Sequence, residues 1–184
     1  MATAESGTTP KFLGDPSYPT SDGRPIGESD LHFTLLAELV LTLRHRLAGD
    51  PMAYAGGNIL QFYEQGNKRK HVSPDVFVTL GVPKEPMRLN YIPWLEGKAP
   101  DVIIEVTSRT THRKDKSTKF ALYRDVLKIP EYFLFDPADR YRKPSLQGFR
   151  LVGGDYVPIE PIGGRLPCES LHLQLGRLGE QLRL

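Results

Sequence analysis

The chain has 184 residues, 39% apolar and 25% charged, a composition that fits one globular domain with a sizeable core. Its 24 basic and 22 acidic side chains leave a net charge of only +2, which excludes a global basic field. No apolar run approaches the ~18 residues of a membrane span, and the single cysteine, Cys168, excludes an internal disulfide or a cysteine-based zinc site; a reducing compartment, the cytoplasm, is the simple expectation.

In chain order, residues 1–24 are polar and rich in Pro, Gly, Ser and Thr, without the apolar core of a signal peptide. They are expected as a flexible arm ahead of a single domain over 25–184. Glu28-Ser29-Asp30 opens a helix to about Ala48, capped by Ser29 or Asp30, with acids at its positive end. Leu31, Leu35, Leu39 and Leu43, with Leu36, Val40 and Leu47, form its apolar stripe, and Gly49-Asp50-Pro51 stops it. Strands are predicted over 58–63 and 75–80, separated by a polar turn over 64–71. The stretch 81–100 holds four prolines and the only tryptophan, Trp94; a connection that long suits a lid, a partner contact or a substrate wall. A strand over 101–107, a helix over 111–127 with Phe120, Tyr123 and Leu127 facing the core, and a strand over 132–135 make a βαβ unit. Those two strands should then be parallel neighbours. Short strands near 149–152, 156–159 and 171–175, with glycine turns at 153–154 and 163–164, make a small β-rich extension that ends leucine-rich.

Chemistry concentrates in Asp101-Val-Ile-Ile-Glu-Val-Thr-Ser108. An ionised Glu105 in an apolar strand is costly unless a lysine or a metal ion offsets its charge. Asp101, Ile103, Glu105 and Thr107 share one face of that strand. Asp101 sits about 13 Å from Glu105 along an extended strand, too far to share one ion. Asp75, after Pro74 at the head of another apolar strand, comes close if the two strands pair. The following helix can bring Lys116 or Lys119 over Glu105, and Lys119 shares a face with Tyr123, so Lys119 is expected to point inward. Basic residues border both acids: Lys68-Arg69-Lys70 precedes Asp75, and residues 109–128 carry seven Lys/Arg against two Asp. Residues 1–50, by contrast, carry four against seven acids.

Pro74-Asp75, a 29-residue gap, Glu105-Val-Thr-Ser108, then Asp115, Lys119 and Tyr123 at four-residue spacing, then Pro130-Glu-Tyr-Phe-Leu-Phe-Asp-Pro137, form an ordered set. The set resembles the PD-(D/E)XK nuclease superfamily, and within it a branch of small bacterial proteins regarded as restriction endonucleases of unknown target. The resemblance covers roughly 28–175 and implies a mixed α/β fold: a restriction-endonuclease-like central mixed sheet of about four strands flanked by helices. It implies a metal-dependent endonuclease that hydrolyses DNA phosphodiester bonds. Asp75 and Glu105 would hold Mg2+ or Mn2+, with Glu28 preferred over Glu38 as a third acid. Lys119 would stabilise the reacting phosphate, and Lys68, Arg69, Lys70, Arg113, Lys114 and Lys116 would meet the DNA backbone. The superfamily's lysine normally lies two residues after the glutamate; here that place is Thr107, and the helix lysine Lys119 is the matching substitute. A homodimer is expected, because two cuts need two sites and the leucine-rich C-terminus offers a pairing surface.

Each feature also has a plainer reading. Asp75 alone would pass for a turn acid. Glu105 and a helix lysine could form a structural ion pair, no less common than a metal site. His32 and His71 read as ordinary histidines, Trp94 as a packing anchor, and Cys168 as having no role. A nuclease fold without activity, binding nucleic acid or protein, is the alternative that Thr107 keeps open. A glycosidase using the two acids fits the clustered cations less well.

Overall fold

The computed structural model describes residues 13–23, 29–108 and 111–184. Helix α1 (Asp30–Arg46) is followed by strands β1 (Ala53–Gly56), β2 (Gln61–Phe62), β3 (His71–Val72) and β4 (Val76–Leu80). Then come the one-turn helix α2 (Pro93–Glu96), β5 (Val102–Val106), α3 (His112–Lys116), α4 (Thr118–Ala121) and a π-helical turn over Leu122–Val126. Strands β6 (Glu131–Phe135), β7 (Leu146–Val152), β8 (Asp155–Pro158), β9 (Leu166–Cys168), β10 (Leu173–Leu178) and β11 (Gln181–Arg183) complete the chain.

The central sheet is mixed, as expected, but has six strands in the order β1-β4-β5-β6-β7-β8. Only β5 and β6 run parallel, as a βαβ crossover requires; the other neighbours are antiparallel. Side-chain alternation along β5 divides the core. Val102, Ile104 and Val106 join Leu35, Leu39 and Leu43 of α1, while Ile103 packs with Tyr123, Leu127 and Tyr132 on the opposite face. Each fully buried leucine of α1 contributes about 1.5–3 kcal/mol.

Several expectations change. The 58–63 strand shrinks to the two-residue β2, and the sheet's edge is instead β1, an Ala-Tyr-Ala-Gly segment of weak strand propensity that only its pairing with β4 makes extended. In α1, Leu31 is exposed and His32 takes the buried position, so the inner stripe reads His32, Leu35, Leu39, Leu43. The helix expected over 111–127 is segmented. Ser117 donates its hydroxyl to the Arg113 carbonyl at 2.7 Å, competing with the helical ladder, and its backbone leaves helical angles. Residues 13–23, expected within a flexible arm, lie against the body: Leu13 N–H donates to Met87 O at 2.9 Å, and Tyr18 packs edge-on against Phe62. The 81–100 stretch is a packed strap. Arg88 stacks over Tyr54, 3.8 Å from the ring centre, and pairs with both carboxylate oxygens of Glu96 at 2.8 Å. Trp94 serves that packing beside Tyr18.

At the C-terminus, Gly153 and Gly154 both take positive φ, which allows the tight turn joining β7 to β8. Strands β9–β11 form a second, three-stranded sheet beside α1, on the same face of the central sheet. Of the leucines offered as a pairing surface, Leu175 and Leu182 are buried in this core, while Leu178 is exposed. Glu131 ties the small sheet down. It accepts backbone N–H bonds from Ser170 (2.8 Å) and Glu169 (3.0 Å), and Arg150 and the Cys168 thiol also reach it. No helix among the described residues is long and apolar enough to cross a membrane.

Candidate active site

The β4–β5 register sets Val76 opposite Ile104, and one step further brings Asp75 to Glu105. Asp75 N–H points at Glu105 Oε2 from 3.4 Å, and Val106 N–H donates to Asp75 Oδ2 at 2.7 Å. Each acid therefore contacts the backbone of the other's strand. The loop before β4 fixes Asp75 from behind. Asn58 N–H donates to Pro74 O at 2.9 Å, and a Cβ on Gly57 would lie 2.3 Å from the Asp75 carbonyl oxygen. His32, in the first turn of α1, places Nε2 3.6 Å from Asp75 Oδ1.

Glu105 is fully buried and doubly held: Lys119 Nζ lies 2.8 Å from Oε2, and Tyr123 donates its hydroxyl to Oε1 at 2.8 Å. Lys119 and Tyr123 are four residues apart and reach the same carboxylate, as their shared helix face predicts. Tyr123 lies in the π-helical turn, a local widening often found at functional sites. A third acid joins them. Asp115, four residues before Lys119, is buried, and its Oδ1 lies 3.6 Å from Lys119 Nζ. Among the described residues, Lys119 and His32 are the basic side chains within 4.0 Å of these three carboxylates.

Burial pushes the Glu105 carboxyl well above its ordinary range against the pull of Lys119, and the negative charges of Asp75 and Asp115 add to the upward push. Asp115 is raised, chiefly by burial, and Tyr123 is raised for the same reason, so it stays a phenol that can donate. For Lys119 burial acts downward, but the three carboxylates outweigh it and keep the ammonium protonated. For Asp75 burial acts upward, but the His32 imidazole, the Lys119 charge and the Val106 N–H outweigh it and hold the carboxyl low. The cluster as a whole sets three carboxylates against the single ammonium of Lys119, with His32 beside Asp75.

Asp75, Glu105 and Lys119, read from the sequence, thus lie together. Glu28 falls outside the described residues, and Glu38 is on the exposed side of α1. Asp101 has a separate role, pairing with Lys98 at 2.7 Å and accepting Leu80 N–H at 2.7 Å. Lys68, Arg69, Lys70, Arg113, Lys114 and Lys116 are all exposed. Lys68 also reaches the Ser17 carbonyl and lies over the Tyr18 ring, so it helps seat the 13–23 segment. Thr107, in the place where the superfamily carries lysine, is buried and accepts a hydrogen bond from Arg142 Nε at 2.9 Å. Arg142 also reaches His112 O at 3.0 Å, and its own N–H is held by Asp136, the acid of the Asp136-Pro137 pair. A guanidinium from the β6–β7 connection therefore stands next to that strand position.

Sequence reasoning named Asp115 and Tyr123 in the ordered set without placing them at Glu105, and it read His32 as an ordinary histidine. The four-residue spacing that pointed to Lys119 also points to Asp115 and Tyr123. His32 precedes Leu35 by three, so it continues the buried stripe of α1.

The donor chemistry suits a hard divalent cation: carboxylate oxygens, buried, with negative charge in excess. Among the described residues no group of three or more His, Cys, Asp or Glu side chains is placed to hold a metal ion by itself. An ion here would take Asp75 and Glu105 and complete its shell with water or substrate oxygen, as Mg2+ commonly does. Glu105 retains lone pairs beyond those used by Lys119 and Tyr123.

No protein of curated function matches the chain. Among solved structures, the chain is similar to the crystal structure of "a putative nuclease belonging to DUF820 from Anabaena variabilis ATCC 29413". The TM-score is 0.59 at 16% identity, over 89% of this chain and 90% of that one. At that identity the likeness is one of fold. A family model described as "Uma2: Putative restriction endonuclease" matches residues 12–176. That span takes in both strand acids, the segmented helix and most of the C-terminal strands, and over such a length the match decides membership: the chain belongs to the Uma2 family.

Proposed function

We propose that this protein is a Mg2+- or Mn2+-dependent endonuclease that hydrolyses DNA phosphodiester bonds in the cytoplasm. The observation that carries the reading is the meeting of Asp75 and Glu105 at the ends of paired strands, with Lys119 2.8 Å from Glu105 and all three largely buried. A bound divalent ion would supply charge neutralisation at the scissile phosphate and a more acidic water. Asp75 and Glu105 would hold it. Tyr123 and Lys119 orient the Glu105 carboxylate, and His32 and Val106 N–H orient that of Asp75. Lys119, held protonated, offers positive charge to a phosphate oxygen. The exposed Arg69, Lys70, Arg113, Lys114 and Lys116, with Lys68, would meet the backbone without reading bases. Each protomer carries one such site, so a double-strand cut calls for two copies.

The test is cleavage of supercoiled, linear and single-stranded DNA with Mg2+ or Mn2+. Asp75→Asn, Glu105→Gln and Lys119→Met should each lower the rate by about 10²-fold or more. A folded wild-type protein that cuts none of these DNA forms with either ion overturns the reading. One observation favours the alternative of binding without cleavage: both Glu105 oxygens already accept bonds. Its signature is salt-sensitive DNA binding that neither metal nor the carboxylate substitutions change.

A further inference from the structure

Five acids are buried among the described residues: Asp75, Glu105, Asp115, Glu131 and Asp136. Four of them accept hydrogen bonds: Asp75 from Val106, Glu105 from Lys119 and Tyr123, Glu131 from the Ser170 turn and Arg150, and Asp136 from Arg142 N–H. Asp115 is the exception. Its side chain is 1% exposed; the Thr111 hydroxyl is near enough to pull its carboxyl down, yet neither oxygen has a hydrogen bond of ordinary geometry. The nearest ammonium, Lys119, stands 3.6 Å away and is committed to Glu105 at 2.8 Å. A buried carboxylate left without donors opposes folding, and the fold has donors to give, since the neighbouring Tyr132 hydroxyl bonds to the Asp115 backbone carbonyl rather than to its side chain. Beyond Thr111 the acid is held in place with acceptor capacity to spare, on the Lys119 side of the site.

We propose that Asp115 is the third anion of the cation site, acting through the hydration shell of the ion rather than as a direct ligand. This rests on the metal-site reading of Asp75 and Glu105. Three carboxylates around one ammonium are short of positive charge, and a hydrated divalent cation supplies both the charge and further O–H donors for the remaining acceptor sites of Asp115.

The experiment compares the full-length wild type, Asp115→Asn, Asp115→Ser and Glu105→Gln by calorimetric titration with MnCl2 and by melting with and without Mn2+. Loss of an outer carboxylate should weaken Mn2+ binding about 10- to 100-fold in both Asp115 variants. Asp115→Asn should melt at or above the wild-type temperature without the ion, since an unbonded buried charge is removed, yet gain less on adding it. Two variants guard against one that fails to fold. If both Asp115 variants bind Mn2+ within about two-fold of wild type while Glu105→Gln does not, Asp115 serves only to position Lys119 and the proposal falls with the metal site intact. If the wild type itself takes up no Mn2+, the underlying metal-site reading fails together with the proposal.

Discussion

Replacing Glu131 with glutamine tests how the C-terminal strands are attached. Its side chain is 2% exposed and accepts from Ser170 N–H, Glu169 N–H, both Nε and Nη2 of Arg150, and the Cys168 thiol. A glutamine keeps one acceptor oxygen, which can serve Arg150 and Glu169. Its NH2 then faces the Ser170 N–H and the Cys168 thiol, donor against donor. An unbonded buried N–H costs about 1–3 kcal/mol, and weakening a charge-assisted bond to Arg150 adds about 1 kcal/mol, so a loss of about 2–4 kcal/mol is expected. Against a typical total of about 5–15 kcal/mol that is a large fraction. The measurement is urea unfolding of both proteins across a pH series.

The sign with pH follows from the folded carboxyl. Burial acts to raise it, but the backbone N–H groups of Ser170 and Glu169 and the Arg150 guanidinium outweigh burial and hold it below the ordinary value of 4.5. A depressed carboxyl stabilises the fold above the unfolded value and loses that contribution as pH falls through the folded one. The difference between wild type and Glu131→Gln should therefore be greatest above about pH 5 and shrink as the medium is acidified. A difference below about 1 kcal/mol at neutral pH, or one that grows on acidification, refutes this account of Glu131.

Two further substitutions probe the site itself. Tyr123→Phe removes the hydroxyl donor to Glu105 and should cost about 1.5–3 kcal/mol in urea unfolding, as for a hydrogen bond to a charged group; unchanged stability would show that this contact contributes nothing. Gly57→Ala places a methyl 2.3 Å from the Asp75 carbonyl and 3.0 Å from Val40, which forces the Pro74-Asp75 backbone to shift. A loss of about 1–3 kcal/mol with weakened Mn2+ uptake is expected. Gly49→Ala, which meets nothing within 4 Å, is the control, and equal behaviour of the two variants would rule out a role for Gly57 in seating Asp75.

Much of the site was legible because its logic is local. A carboxylate in an apolar strand is an anomaly that needs a positive neighbour, and four-residue helical spacing selects Lys119 and, in retrospect, Asp115 and Tyr123. The parallel β5–β6 pair followed from a strand, helix, strand order, and the β7–β8 hairpin from two adjacent glycines. Other features depend on partners distant in the chain. Strand β1 has little propensity of its own and is extended only because β4 pairs with it. His32 is buried against Asp75 by the way α1 crosses the sheet, and Arg142 comes to Thr107 from 35 residues away. Leu175 and Leu182 look like part of an open surface until β9–β11 fold back onto the core and Glu131 secures them. Periodicity and anomalous polarity are properties of a segment and can be read from it. Which segments meet, and therefore which charges share a site, is decided only when burial brings distant parts of the chain together.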